Sequence, residues 1–110
     1  MAFKRAQKPM FTAVVTVNIP NDKCGFDINT LVAHYKRLNT AEVKALRAEG
    51  LSNEDLVRRV MVGWDLQDED TKETVPFTAA ELEAAMQIMP TPYALAQAFW
   101  ECQAGTRAKN

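Results

Sequence analysis

Asp65, Asp68, Glu69, Asp70 and Glu73 crowd one short stretch of the chain. Closely spaced carboxylates are the hard oxygen ligands that calcium takes. Counted from Asp65, the calcium-binding helix–loop–helix pattern needs glycine sixth and glutamate twelfth, where Asp70 and Pro76 stand. Counted from Asp68, it meets Glu73 and Ala79 at those positions. The stretch is therefore expected to be a solvated acidic loop, and no metal site is expected. His34 is the single histidine, with no serine or cysteine at a motif spacing to make it a general base, so it reads as an exposed strand residue. Cys102, among Leu95 and Phe99, reads as a buried inert thiol, whereas Cys24 lies in a turn and is open to oxidation. These side chains nominate no catalytic residue, and neither an enzyme nor a binder of cofactors or small molecules is expected.

Two other groupings bear on partners. Short helical patterns either side of Gly50, with Lys44, Arg47, Arg58 and Arg59, have the outline of a helix-turn-helix. A recognition helix reads bases from its N-terminal end, but Asn53, Glu54 and Asp55 stand there and the two carboxylates would repel phosphates. The cations read better as solvated faces of core helices. Met86, Met89, Tyr93, Phe99 and Trp100 fall in one quarter of the chain. Methionine and aromatic side chains also make adaptable contact surfaces, and Trp100, beside Glu101 and off the main apolar stripe, is expected at an interface.

The elements that must carry these residues begin with a strand. In MFTAVVTVNI, Phe11, Ala13, Val15, Val17 and Ile19 fall on one face and Thr12, Val14, Thr16 and Asn18 on the other. Pro20 to Gly25 are turn formers. Leu31, Ala33 and Tyr35 alternate as a second strand would, although residues 27–37 also fit helical spacing. A hairpin partner relieves the open edge of a lone strand, which favours the strand. Asn39 with Glu42, Ser52, Thr78 with Glu81, and Thr91-Pro92 signal helix starts; Gly50 and Gly105 signal ends. The expected fold is helix-rich α+β: an N-terminal β-hairpin over about 10–19 and 27–37, then four or five short helices over about 40–49, 53–62, 79–89 and 92–104. The alternative is a mostly α chain with 27–37 helical.

At 110 residues the chain suits one domain spanning 1–110, with 1–9 and 105–110 as flexible tails. A hydrophobic share of 47% with 25% charged residues excludes global disorder. A net charge of −1 gives no general affinity for nucleic acid or anionic membrane. Two distant cysteines, and no apolar run long enough to span a bilayer or to form a secretory signal, point to a reduced cytoplasmic setting.

The order of these pieces carries a resemblance. A β-branched strand, an extended segment ending in HYKRLNTAEV, a short helix pair, then VMVGWDLQDEDTKETVPFT and an aromatic terminal helix resemble the tail assembly chaperones of long-tailed bacteriophages and prophages. The likeness spans about residues 10–104. It rests on Tyr35-Lys36-Arg37-Leu38 before a polar cap, the Val62-Gly63-Trp64 step into the acidic loop, and Val75-Pro76-Phe77-Thr78 opening a helix. The chain departs where Asp70-Thr71 replaces a frequent Asp-Gly, and in the heavy break Pro90-Thr91-Pro92.

What the resemblance implies is a non-enzymatic protein of the host bacterial cytoplasm, absent from the mature virion. It would self-associate, coat the long helical tape-measure protein and help the tail-tube protein polymerise around it. The grip is then expected from Met86, Met89, Tyr93, Phe99 and Trp100, with the acidic loop keeping the complex soluble. The alternatives are a small helix-turn-helix regulator and another structural phage component of the tail or connector.

Overall fold

The computed structural model describes residues 2–3 and 5–106; Met1, Lys4 and residues 107–110, parts of the two expected tails, lie outside the described residues. Strand β1 (Met10–Pro20) and strand β2 (Phe26–Lys36) pair antiparallel from Met10↔Lys36 to Pro20↔Phe26. The turn between them is built by Asn21, whose Oδ1 accepts from the amides of Lys23 (3.0 Å) and Gly25 (3.1 Å), while Cys24 takes a left-handed φ of 59°. Lys8 and Pro9 are tied to β2, since Arg37 donates from Nε to the Lys8 carbonyl (2.8 Å) and from its amide to the Pro9 carbonyl (2.8 Å).

Alternation then fixes two faces. Ala13, Val15 and Val17 of β1 and Leu31, Ala33 and Tyr35 of β2 are buried, and the even-numbered residues face away from the core. The hydrogen-bonding sense is fixed as well. Arg37 bonds Pro9 at one end of the hairpin and Asn21 bonds Gly25 at the other, so odd-numbered residues bond across the hairpin and even-numbered residues aim their main-chain groups outward.

The expected two-stranded hairpin is overturned by a third strand. Helix α1 (Thr40–Ala48) and helix α2 (Asn53–Val60) follow the hairpin, and α2 runs straight into β3 (Met61–Asp65), which pairs antiparallel with β2 to give the order β1-β2-β3. Residues 61–62 are thus not the end of a helix, and residues 27–37 are not helical. Val57, Val60 and Met61 keep helical spacing through the junction, so periodicity alone continues the helix. What stops it is the outward main chain of Val32 and His34, which Asp65 and Gly63 pair with. A register shift opposite His34 and Tyr35 leaves Val62 exposed and lets Met61 and Trp64 both point inward although they are three residues apart.

Helices α3 (Ala79–Met86) and α4 (Thr91–Gln103) complete the chain. Asn39 forms a full capping box with Glu42, Ser52 accepts from the Asp55 amide, and Thr78 accepts from the Glu81 amide. α3 stops short of residue 89. A cis Met89–Pro90 bond follows, and Thr91 is the buried first residue of α4 and not its cap; Pro90 takes the cap position without a side-chain bond.

α4 packs against α2 and β1 across the inward sheet face. There Tyr35, Phe11 and Phe99 meet with ring centroids 5.5–6.0 Å apart, and the Tyr35 hydroxyl donates to the Leu95 carbonyl at 2.7 Å. Gln103 closes the far end of α4. Its Nε2 donates to the Leu38 carbonyl (2.8 Å) and its Oε1 accepts from the Leu38 amide (3.2 Å), imitating a strand partner for the β2–α1 link.

Candidate partner-binding surface

The acidic stretch is more ordered than a loop. Asp65 belongs to β3, with its Oδ2 3.2 Å from His34 Nε2. Beyond it, Gln67 bridges Thr74, the Asp68 amide donates to the Glu73 carbonyl (2.8 Å), and the Val75 amide donates to the Leu66 carbonyl (2.8 Å). Asp68 turns this small hairpin: its carboxylate accepts from the amides of Asp70 (2.9 Å) and Thr71 (3.0 Å). Those bonds, Thr71 first, hold the Asp68 carboxyl below its usual range. The stretch is anchored at both ends, because buried Trp64 donates from Nε1 to the Val75 carbonyl (2.9 Å) and meets Phe77 edge-on at 5.1 Å. Among the described residues, no three His, Cys, Asp or Glu side chains are grouped to hold a metal ion.

Two of the four cations of the helix-turn-helix reading, Arg58 and Arg59, are engaged with carboxylates. Arg58 forks onto Glu83 at 2.6 and 2.7 Å and also reaches Asp55 at 2.7 Å; Arg59 holds Glu49 at 3.1 and 3.2 Å. Hydrogen bonding from Arg58 pulls the Glu83 carboxyl below its ordinary value, and Glu83 in turn pushes Arg58 further up. A depressed carboxyl adds stability above its unfolded value, about 4.3 for glutamate, and that addition fades as pH falls through the folded value. Arg58→Ala should therefore lower the urea midpoint at about pH 7 and converge on the parent near about pH 2. A gap independent of pH would mean that the fork adds nothing through its charge.

The five residues expected to grip a partner do not share one surface. Met86 and Phe99 are buried in the core. Met89 is 82% exposed and Tyr93 59% exposed, at the corner between α3 and α4 and in the first turn of α4. Trp100 is half-buried: it lies edge-on to Phe99 at 5.1 Å, with the Arg47 guanidinium 4.2 Å above its ring. Tyr93 and Trp100 are seven residues apart on one helix. Two turns put them on the same side, about 10.5 Å apart along the axis.

Sequence reasoning passed over Ile88, which is 47% exposed beside Met89. Its signal was an apolar residue outside the α3 stripe just before Pro90. Ile88, Met89 and Tyr93 are thus three exposed apolar side chains close together in sequence where α3 gives way to α4. Cys24 is exposed and Cys102 half-buried.

Comparison with known proteins adds no relative. No protein-family model, no curated protein and no solved structure matches the chain. The apolar corner thus stands on its own chemistry: three large apolar side chains left in water. No helix among the described residues is long and apolar enough to cross a membrane.

Proposed function

We propose that the chain is a non-enzymatic tail assembly chaperone that holds the tape-measure protein in solution and helps the tail-tube protein assemble around it. The observation that supports this reading is the exposure of Ile88, Met89 and Tyr93 at one corner. A helical partner with an apolar stripe needs a surface of this kind. Methionine repacks against many side-chain shapes, and the tyrosine joins an apolar ring to a polar tip. The corner is small, so the grip of one copy is weak. Many self-associating copies along one long partner gain avidity without tight single contacts. The acidic hairpin from Asp65 to Glu73, distant in sequence from the corner, keeps the coated complex apart from others by like charge. Such a protein acts in the host bacterial cytoplasm and leaves before the virion is finished. A DNA-binding regulator is less favoured, because Arg58 and Arg59 already hold Glu83 and Glu49.

Co-expression with the long helical tail protein encoded downstream, followed by affinity capture and sizing, tests the proposal. Soluble co-elution of several copies per partner is expected. A partner that stays insoluble, or elutes without this chain, would overturn it.

A further inference from the structure

β2 is eleven residues long and β3 only five, so the third strand covers less than half of its neighbour. The pairing ends at Val32↔Asp65, and the chain then turns away into the acidic hairpin. The even-numbered residues of β2 aim their main-chain groups to this side. Val32 and His34 meet β3, but among the described residues no main-chain partner faces Ile28 or Thr30. Each therefore presents an N–H and a C=O to open space, one strand spacing from where a neighbour would lie.

That space is a groove of about 540 Å³ between β2 and the acidic hairpin. Its β2 wall carries Ile28, which is 72% exposed, and Val32; the opposite wall carries Asp65, Asp68 and Glu69 against the single cation Lys72. The wall is acidic by three carboxylates to one ammonium. Asp68 is held in its charged form by the two amides it accepts from.

We infer that this groove binds an extended, lysine- or arginine-bearing peptide segment of a protein partner, which adds to β2 at Ile28 and Thr30 as a strand collinear with β3. Main-chain bonds to Ile28 and Thr30 supply the affinity that any extended peptide shares. An apolar side chain on the outer sheet face meets Ile28 and Val32. The basic residues select the segment by pairing with Asp65 and Glu69, which makes the binding sensitive to salt. This site lies outside the Ile88–Met89–Tyr93 corner and does not depend on the chaperone reading.

The test uses the whole chain and three capped heptapeptides: a lysine–valine peptide, Lys-Thr-Val-Thr-Val-Thr-Lys, whose lysines and valines share one face of a strand; its glutamate–valine counterpart; and the lysine–valine peptide with every amide N-methylated. The methylated peptide keeps the charge of the first but has no N–H on either edge with which to pair as a strand. Amide chemical shifts are followed by NMR during titration. The lysine–valine peptide should bind at least tenfold tighter than either control, with shifts centred on Ile28, Thr30 and residues 65–69, and with slowed exchange of the Ile28 and Thr30 amides. Thr30→Pro removes an N–H that β1 does not use, and it should abolish binding. Should Thr30→Pro disturb the fold, Ile28→Lys and Glu69→Lys, both at exposed positions, should each weaken binding at least tenfold. Equal binding of the two lysine peptides would reduce the site to a charged patch and overturn strand addition, as would indifference to Ile28→Lys and Glu69→Lys. A concentration-dependent change at Ile28 and Thr30 without peptide would make the occupant a second copy of this chain, and that too would overturn the assignment.

Discussion

Replacing Phe99 with alanine should lower the unfolding free energy by about 3–5 kcal/mol, a large part of the roughly 5–15 kcal/mol that a domain holds. Phe99 is fully buried and lies within 5.1–6.0 Å of three other rings, those of Phe11, Tyr35 and Trp100. Its loss opens a cavity where β1, β2 and α4 meet, and a rigid sheet cannot collapse into it. Tyr35→Phe at the same junction should cost only about 1 kcal/mol, because it removes one neutral hydrogen bond to the Leu95 carbonyl and keeps the ring. Denaturant unfolding of both variants measures the contrast. Should Phe99→Ala fall within 1 kcal/mol of the parent, the ring cluster is not the centre of the core.

The second large effect concerns binding and not stability. Met89→Asp combined with Tyr93→Asp should leave the urea midpoint nearly unchanged, since substitutions at exposed positions usually shift stability by about 0.5 kcal/mol or less. On the chaperone proposal, the same double variant should lower the yield of soluble tape-measure complex at least tenfold, by placing two charges where the apolar stripe of that partner would dock. Trp100→Ala is a poorer probe. It removes a ring that also supports Phe99 and lies under Arg47, so lost folding and lost grip would be confounded. A double variant that folds and still solubilises the partner would remove the corner from the binding surface.

The five residues expected to grip a partner show why a sequence does not tell which side chains share a surface. Met86 and Met89 look alike in the chain, both apolar, both polarisable and one turn apart. They separate only because α3 ends at Met86 and the chain breaks before Pro90, which leaves Met86 under the helices and Met89 in water. Phe99 and Trp100 are neighbours, and the rotation of α4 decides that the first enters the core and the second stays half-covered beneath Arg47. Helix rotation depends on what the helix packs against. Composition does not contain that information.

Local rules were legible. The two-residue period from Phe11 to Ile19 separates the buried and exposed faces of β1, and the oxygens of Asn39, Ser52 and Thr78 mark helix starts, because pleat and cap both act within a few residues. The tertiary structure alone decided β3. A run from Val57 to Val62 satisfies helical spacing and strand propensity together, and the choice falls to the main-chain groups of Val32 and His34, distant in sequence, which need partners. The same partnering explains the groove: β3 stops at Asp65, and where it stops, Ile28 and Thr30 are left facing open space. Side-chain pattern is written along the chain, but strand pairing is a relation between distant segments, and only the folded molecule shows which segment reaches which edge.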